Sequence, residues 1–346
     1  MRTRLGLIQL VAVIASVILS LSISALLLVS IGRNPLEVAQ VIWDGSFSDL
    51  NRLAGVFNFW IPFTLASLGL VVTFRAGLWN IGVEGQMMFG AIFASGVALF
   101  VNAPSIVTIP LAIISAMVGG LLWAVVVGLL KTRLGVHEIF GGVALNALAN
   151  VFTNFLVSNL WSPAGGNALD TGPFPPHALL PEFSPTFTTN ITLIILVLLS
   201  FIVLTVALWG SRWGLELKAT GKNARSALLL GVPTERISLS AFAICGILAG
   251  IGGAYRVLFT FDTLRPLVSG GIGFLAILVV LLVNHQVILV PLITFIFAAV
   301  MFGSTRLKIR MQLDSSLAEV LQGLLVLLVM LSSGLRKRIE SMRQAG

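Results

Sequence analysis

The sequence predicts an all-α polytopic membrane protein of about ten transmembrane helices, some of them short or broken. Three observations carry that prediction. Mean hydropathy is +1.04 with only 10% charged residues, a composition outside the range of water-soluble domains. The chain is 57% hydrophobic over 346 residues, so most of it must lie in hydrocarbon, where only helices or a closed barrel satisfy the backbone. The ten-residue alternation of a membrane barrel is absent. A formal charge of +8 then reads as basic cytoplasmic loops, with no nucleic-acid partner expected. Cys245 is the single cysteine and lies in an apolar run, which excludes an internal disulfide. His137, His177 and His285 show no ligand spacing, and no metal site or catalytic constellation is expected.

The chain reads as one transmembrane domain, 1–346, with a core bundle over 53–333. Behind two arginines, an apolar run over 5–31 reads as a retained first helix, too long for a signal-peptide core. Residues 32–51 hold Asn34-Pro35 and Asp44-Gly45 and predict a loop. Spans are expected over 53–74, 83–102, 105–130 and 139–160. Residues 161–189 hold six prolines and no lysine or arginine, the composition of an irregular external loop. A span over 190–209 precedes a charged cytoplasmic segment, 210–236. The span over 237–258 carries Gly246 and Gly250 at the spacing that brings helices close. Three last segments, 270–284, 286–303 and 315–333, lead to a basic cytoplasmic tail, 334–346. With both termini inside, 14 of 21 Lys and Arg fall on the inner side, which supports the orientation, although Arg306, Lys308 and Arg310 fall outside.

Four motifs interrupt this apolar pattern. Residues 75–86, Arg-Ala-Gly-Leu-Trp-Asn-Ile-Gly-Val-Glu-Gly-Gln, pack polar groups and glycines between two spans, which lipid tolerates only inside protein or beside water. Asn80 is suited to cap the following helix, with Glu84 in its first turn near the positive dipole end. Alternatively, the glycines break the helix so that Asn80, Glu84 and Gln86 line a polar path; Glu84 as a proton carrier is a third reading. Asn146, Asn150 and Asn154 recur at every fourth residue and so share one helical face. They suit either interhelical hydrogen bonds or a path for a hydroxyl-rich solute, since amides both donate and accept. In residues 221–233, Asn223 can cap a helix of about two turns and Gly231 can end it, with Pro233 blocking its resumption. Such a helix either docks into a partner's groove or lies on the membrane surface. Finally, Ser269-Gly270-Gly271-Ile272-Gly273-Phe274 faintly echoes the first motif, with Arg265 eight residues before Gly273 where Arg75 lies seven before Gly82. Paired breaks of opposite orientation are the mark of inverted repeats around a central site.

These residues resemble the permeases of ATP-binding-cassette importers in the ribose and branched-chain amino acid permease group, and most nearly the nucleoside and simple-sugar permeases served by Bmp-type lipoprotein receptors. The likeness rests on Gly32-Arg33-Asn34-Pro35, on Phe74 through Gln86, on Gly135-Val136-His137-Glu138 with Leu145-Asn146, and on Gly221 through Gly231. It implies a vitamin B12-importer-like architecture in a bacterial or archaeal inner membrane. Two permease chains, often different, would enclose the path, with ATPase subunits below and a substrate-binding lipoprotein above. The permease itself would need no cofactor, because the partner subunit binds ATP. Gly221, Asn223, Ala224, Arg225, Ala227, Leu229 and Gly231 would form the ATPase-docking segment. After Gly273 the chain departs from the family pattern, with Leu275 where an acidic or polar residue is expected and Asn284-His285-Gln286-Val287 in place of an Asn-Pro-x-Gly turn. The resulting expectation is a permease subunit for nucleosides first and simple sugars second. A transporter or channel acting alone would need a buried ionisable chain, and only Glu84 and Glu319 lie near the spans.

Overall fold

In a computed structural model, the structure describes residues 18–19, 22–163 and 169–314, and beyond these 317, 319–320, 322–324, 326–328 and 331. All regular structure among the described residues is helical. Among the described residues, seven helices are long and apolar enough to cross a membrane, eight if one bent pair counts as a span. The helical membrane class is therefore as expected from composition. The basic tail and most of the 5–31 run lie outside the described residues.

The chain divides into two compact units, 1–56 with 295–346, and 57–294. In the first, α1 (Ser22–Ser30) and α2 (Pro35–Phe47) meet at a bend of 106°. The 32–51 loop expectation is thus corrected: most of it is helix. Asn34 Oδ1 accepts from Leu36 N at 3.0 Å, and Pro35 occupies the first helical position, where its missing N–H costs nothing. Gly45, read from sequence as a turn residue, instead packs against the Gly303 backbone, while Ser46 Oγ donates to Ala299 O at 2.6 Å. Leu28, Val38, Val41, Leu307 and Met311 form the apolar centre of this unit. The expected loop at Arg306–Arg310 is corrected as well. α12 (Val290–Met311) continues through these residues, where cations complement a helix C-terminus and Arg310 lies 3.8 Å from Asp44.

The second unit is built on three helices that cross backbone to backbone. These are α4 (Val83–Phe100), α5 (Ser105–Thr132) and α10 (Thr234–Tyr255). Gly90 abuts Gly250, Gly120 meets Gly246 and Gly250, and Gly253 lies against Met87 and Ala91; a Cβ at any of these would overlap main chain. Lipid offers no hydrophobic drive between helices, so such close approach is what holds them together. The remaining helices are α3 (Leu50–Arg75), which crosses the division between the units, α6 (Glu138–Phe155), α7 (Ile191–Gly210), α8 (Arg212–Lys222), α9 (Ala224–Leu229) and α11 (Ile272–Leu282). α6 and α10 each end in a wider π-helical turn, 156–160 and 256–260. α7 exposes Ile195, Leu199, Ile202 and Val206, the surface of a helix that faces lipid.

This unit has two distinct ends. At one, Arg75, Lys131, Arg133 and Lys222 gather, with Lys131 paired to Glu138 and Arg133 Nε donating to Glu235 at 3.0 Å. At the other, the described part of 161–189 is irregular apart from one short turn, Pro176–Ala178. Thr171 N, Phe174 N and Leu180 N donate to Leu264 O, Asp262 O and Leu258 O and fasten that loop to the end of α10.

Candidate functional site: two helix breaks joined by a buried carboxylate

The first break follows α3. Gly77 turns the chain with φ +75°, and the backbone then runs irregularly to Gly82, the residue before α4. Asn80 does not cap α4, contrary to expectation. Its side chain is fully buried and exchanges two hydrogen bonds with Gln86: Asn80 Nδ2 donates to Gln86 Oε1 at 3.2 Å, and Gln86 Nε2 donates to Asn80 Oδ1 at 3.1 Å. Neither amide is then left unpaired, which would cost about 1–3 kcal/mol. Asn80 Nδ2 also reaches Cys245 Sγ at 3.1 Å.

Asn146 of α6 completes this break. Its Oδ1 accepts from Gly85 N at 2.8 Å, and its Nδ2 donates to Ile81 O at 2.9 Å. Both bonds satisfy backbone groups that an irregular helix start leaves open. Trp123 and Asn146 both crowd Gly85, and Trp123 stacks on Phe89 at 3.6 Å.

The second break separates α10 from α11. The chain takes left-handed conformations at Asp262, Leu267, Gly270 and Gly271, of which the first two carry side chains that disfavour them. Three helices hold this segment. Asn150 Oδ1 of α6 accepts from Leu267 N at 3.2 Å. Arg256 Nε, at the end of α10, donates to Val268 O at 3.1 Å. Glu84 of α4 accepts three bonds: from Ser269 Oγ at 2.6 Å and Gly271 N at 2.9 Å on Oε1, and from Gly273 N at 2.7 Å on Oε2.

Glu84 is 4% exposed. A buried carboxylate is expensive unless hydrogen-bonded and paired, and here three donors and the electrostatic attraction of Arg256 meet it. It also lies at two helix N-termini, those of α4 and α11, where negative charge is favoured. Sequence reasoning set out Glu84 and the 269–274 run as separate motifs, and the fold joins them across 185 to 189 residues. It also paired Arg265 with Gly273, whereas Arg256 is the cation that grips the segment. The readable signal was an arginine inside an apolar span.

Asn154 is half-buried, two turns beyond Asn146 on α6. Outside the spans, burial and then neighbouring Glu182 raise the Asp262 carboxyl above its ordinary range. Burial lowers Arg265, countered by Asp170, and its guanidinium lies 3.3 Å from the centre of the Phe261 ring.

At the basic end, Asn223 Oδ1 accepts from Ser226 N at 2.9 Å and caps α9, a six-residue helix closed by Gly231 at φ +85°. Ala227 is buried, while Ala224, Arg225 and Leu229 are exposed. Gly221 lies directly on the Arg75 and Ala76 backbone, so this segment touches the turn that begins the first break. A cavity of about 290 Å³ opens beside it, lined among others by Gly77, Lys131, Thr220 and Lys222.

A multi-span helical bundle whose polar residues gather at helix breaks is the construction of a transport protein. The chain belongs to the family described as the permease component of the branched-chain amino acid transport system, whose model matches residues 52–330. It is 28% identical over 338 residues to the guanosine ABC transporter permease NupP of Bacillus subtilis, covering 96% of each chain. It is 25% identical to the glucose ABC transporter permease TsgB13 of Haloferax volcanii, over 92% of this chain and 86% of that one. It is also 25% identical to the nucleoside ABC transporter permease NupB of Lactococcus lactis, over 87% and 83%. The chain is a transport permease rather than an enzyme.

Proposed function

We propose that this permease carries nucleosides, and simple sugars as a second class, along a path bordered by the Asn150–Asn154 face of α6 and the second break. One observation carries the reading. Leu267 is 62% exposed and Gly270 is exposed in an irregular segment bonded to the mid-helix amide of Asn150. In this reading the segment lies at membrane depth, where lipid does not tolerate open irregular backbone, so a partner chain or a water-filled path covers it. Half-buried amides, with the exposed Phe274 ring following the second break, suit a solute rich in hydroxyls with one flat or apolar face. The relatives named for guanosine, nucleosides and glucose support those two classes. Asn80, Glu84, Gln86 and Asn146 act in this reading as the frame that holds the path's wall.

The chain forms half of the pathway, beside a second homologous permease and under an external substrate-binding lipoprotein. The existence of two guanosine permeases, NupP and NupQ, in Bacillus subtilis supports a paired arrangement. Counting α1 with α2 as one span and α11 as a short one gives nine among the described residues; the 315–333 span expected from hydropathy, which lies largely outside them, would make the ten of a vitamin B12-importer-like plan. The basic end is cytoplasmic by charge, with both termini on that side. There α9 meets the ATPase, with Arg225 and Leu229 offered outward and Ala227 packed beneath.

The reading is tested with Asn150→Leu in cells that take up labelled nucleoside. Uptake is expected to fall about tenfold, the worth of one lost amide contact together with a freed Leu267 N–H. Unchanged uptake kinetics would return the α6 amides to packing.

A further inference from the structure

We infer that residues 266–271 form a movable gate in the path and that Glu84 is its latch, a positioning residue that releases the segment rather than touching solute. The inference rests on the path reading above and deepens it. Four observations converge on it.

First, the segment is held from outside itself. Asn150, Arg256 and Glu84, from three different helices, supply its four side-chain tethers; Glu84 gives two of them and a further bond to Gly273 at the start of α11. Second, the segment is strained where it is held. Leu267 adopts φ +52°, a conformation that persists in a non-glycine residue only when its surroundings impose it. Third, Gly270 and Gly271, at φ +64° and +76°, follow one another just before the start of α11, so backbone rotation is available there once the Glu84 bonds break. Fourth, the tethers face different ways. Leu267 and Gly270 are exposed, whereas Val268 and Ser269 are fully buried. Swinging the segment outward therefore breaks the Glu84 bonds and exposes Val268 together.

A carboxylate is suited to this task. It accepts from Ser269, Gly271 and Gly273 at once through two oxygens, so the closed geometry satisfies the hydroxyl and both amides. When the gate moves, the Glu84 charge keeps Arg256 as an electrostatic neighbour and the two helix N-termini as its setting. Gln at this position keeps the shape but turns one acceptor into a donor aimed at an N–H, which opposes closure.

The test uses Val268→Cys in the full chain in membrane vesicles. Cys245 is the only native cysteine and is fully buried, so the parent chain serves as the blank. Labelling of the introduced thiol by a hydrophilic maleimide reports gate opening. Adding Glu84→Gln should raise the labelling rate about tenfold or more, the equivalent of one lost charge-assisted bond. Glu84→Asp should give a smaller rise, since it keeps the charge. Ser269→Ala, which removes one of three bonds and adds no bulk, should raise the rate about threefold and carries the test if Glu84→Gln fails to accumulate. Labelling that Ser269→Ala and the Glu84 variants leave unchanged would overturn the latch. The path reading is judged separately with Asn154→Cys. If that position resists the same reagent, the path reading fails; if it labels while the thiol introduced by Val268→Cys ignores changes at Glu84 and Ser269, only the latch fails.

Discussion

The two helix breaks solve the same problem with opposite materials. The first, between Arg75 and Val83, is satisfied by buried amides: Asn80 exchanges bonds with Gln86 in the first turn of α4, Asn146 of α6 ties down its backbone, and all three are buried. It places no non-glycine residue at positive φ among residues 75–83. The second, between Thr260 and Ile272, is hung from other helices, carries two residues in disfavoured conformations and leaves part of its length exposed. A break locked by fully buried amides, with no strained residue and no exposed stretch, is a fixed part. One suspended by the side chains of other helices, up to 189 residues away in sequence, is a part that can be let go.

That contrast can be broken experimentally. The largest effect is expected at the fixed break. Asn80→Leu leaves the Gln86 amide buried and unpaired, a loss of about 2 kcal/mol. Thermal unfolding in detergent should show it, and adding Gln86→Leu should recover part of it, because removing both partners strands neither. If the double variant is worse than the single, the pair is not what holds the break. Gly77→Ala comes next, at about 1 kcal/mol, because it forces an L side chain into a left-handed turn. Its Cβ would also lie 3.2 Å from Gly221. Stability equal to the parent in the same melt would show that the turn relaxes freely.

At the suspended break the signs change. Leu267→Gly should relieve strain, so the protein should unfold slightly later or at the same temperature, a gain of up to about 1 kcal/mol. A loss would show that the Leu267 side chain holds the segment and that its φ is not a cost. The smallest effect is a pH dependence. Asp262 has its carboxyl raised by burial and by Glu182, so the folded segment binds its proton more readily than the unfolded chain. That contribution is present below the ordinary carboxylate range and is lost as pH rises through the raised value. Mild acid should therefore slow amide exchange around 262 by more than the intrinsic hydroxide-catalysed rate falls, and Asp262→Asn should remove that excess. Exchange that slows equally in the variant would assign the effect elsewhere.

Much of this architecture was legible in the sequence because hydropathy and glycine spacing are local signals. The spans from Leu50 to Thr260 follow the apolar runs closely, and Gly246 with Gly250 marked the tight crossing. α2 was missed because Asp44-Gly45 looks like a turn when Gly303 is not in view. The end of α12 was missed because three cations in five residues look like a loop, although they suit a helix terminus. The site was half legible. Every polar residue in the first break was identifiable, but not that Asn80 would choose Gln86 over the helix cap. Nothing local could reveal that Glu84 binds Ser269, Gly271 and Gly273, since that pairing depends on where two broken helices meet.

The contact of Gly221 with the Arg75–Ala76 backbone has one more consequence. Main chain presses on main chain there, with no side chain between to bend or change rotamer. A displacement of the α8–α9 corner thus reaches the lead-in to α4 without slack, as in a gear train with no backlash. Even a methyl group added at Gly221 would leave the two parts permanently out of mesh.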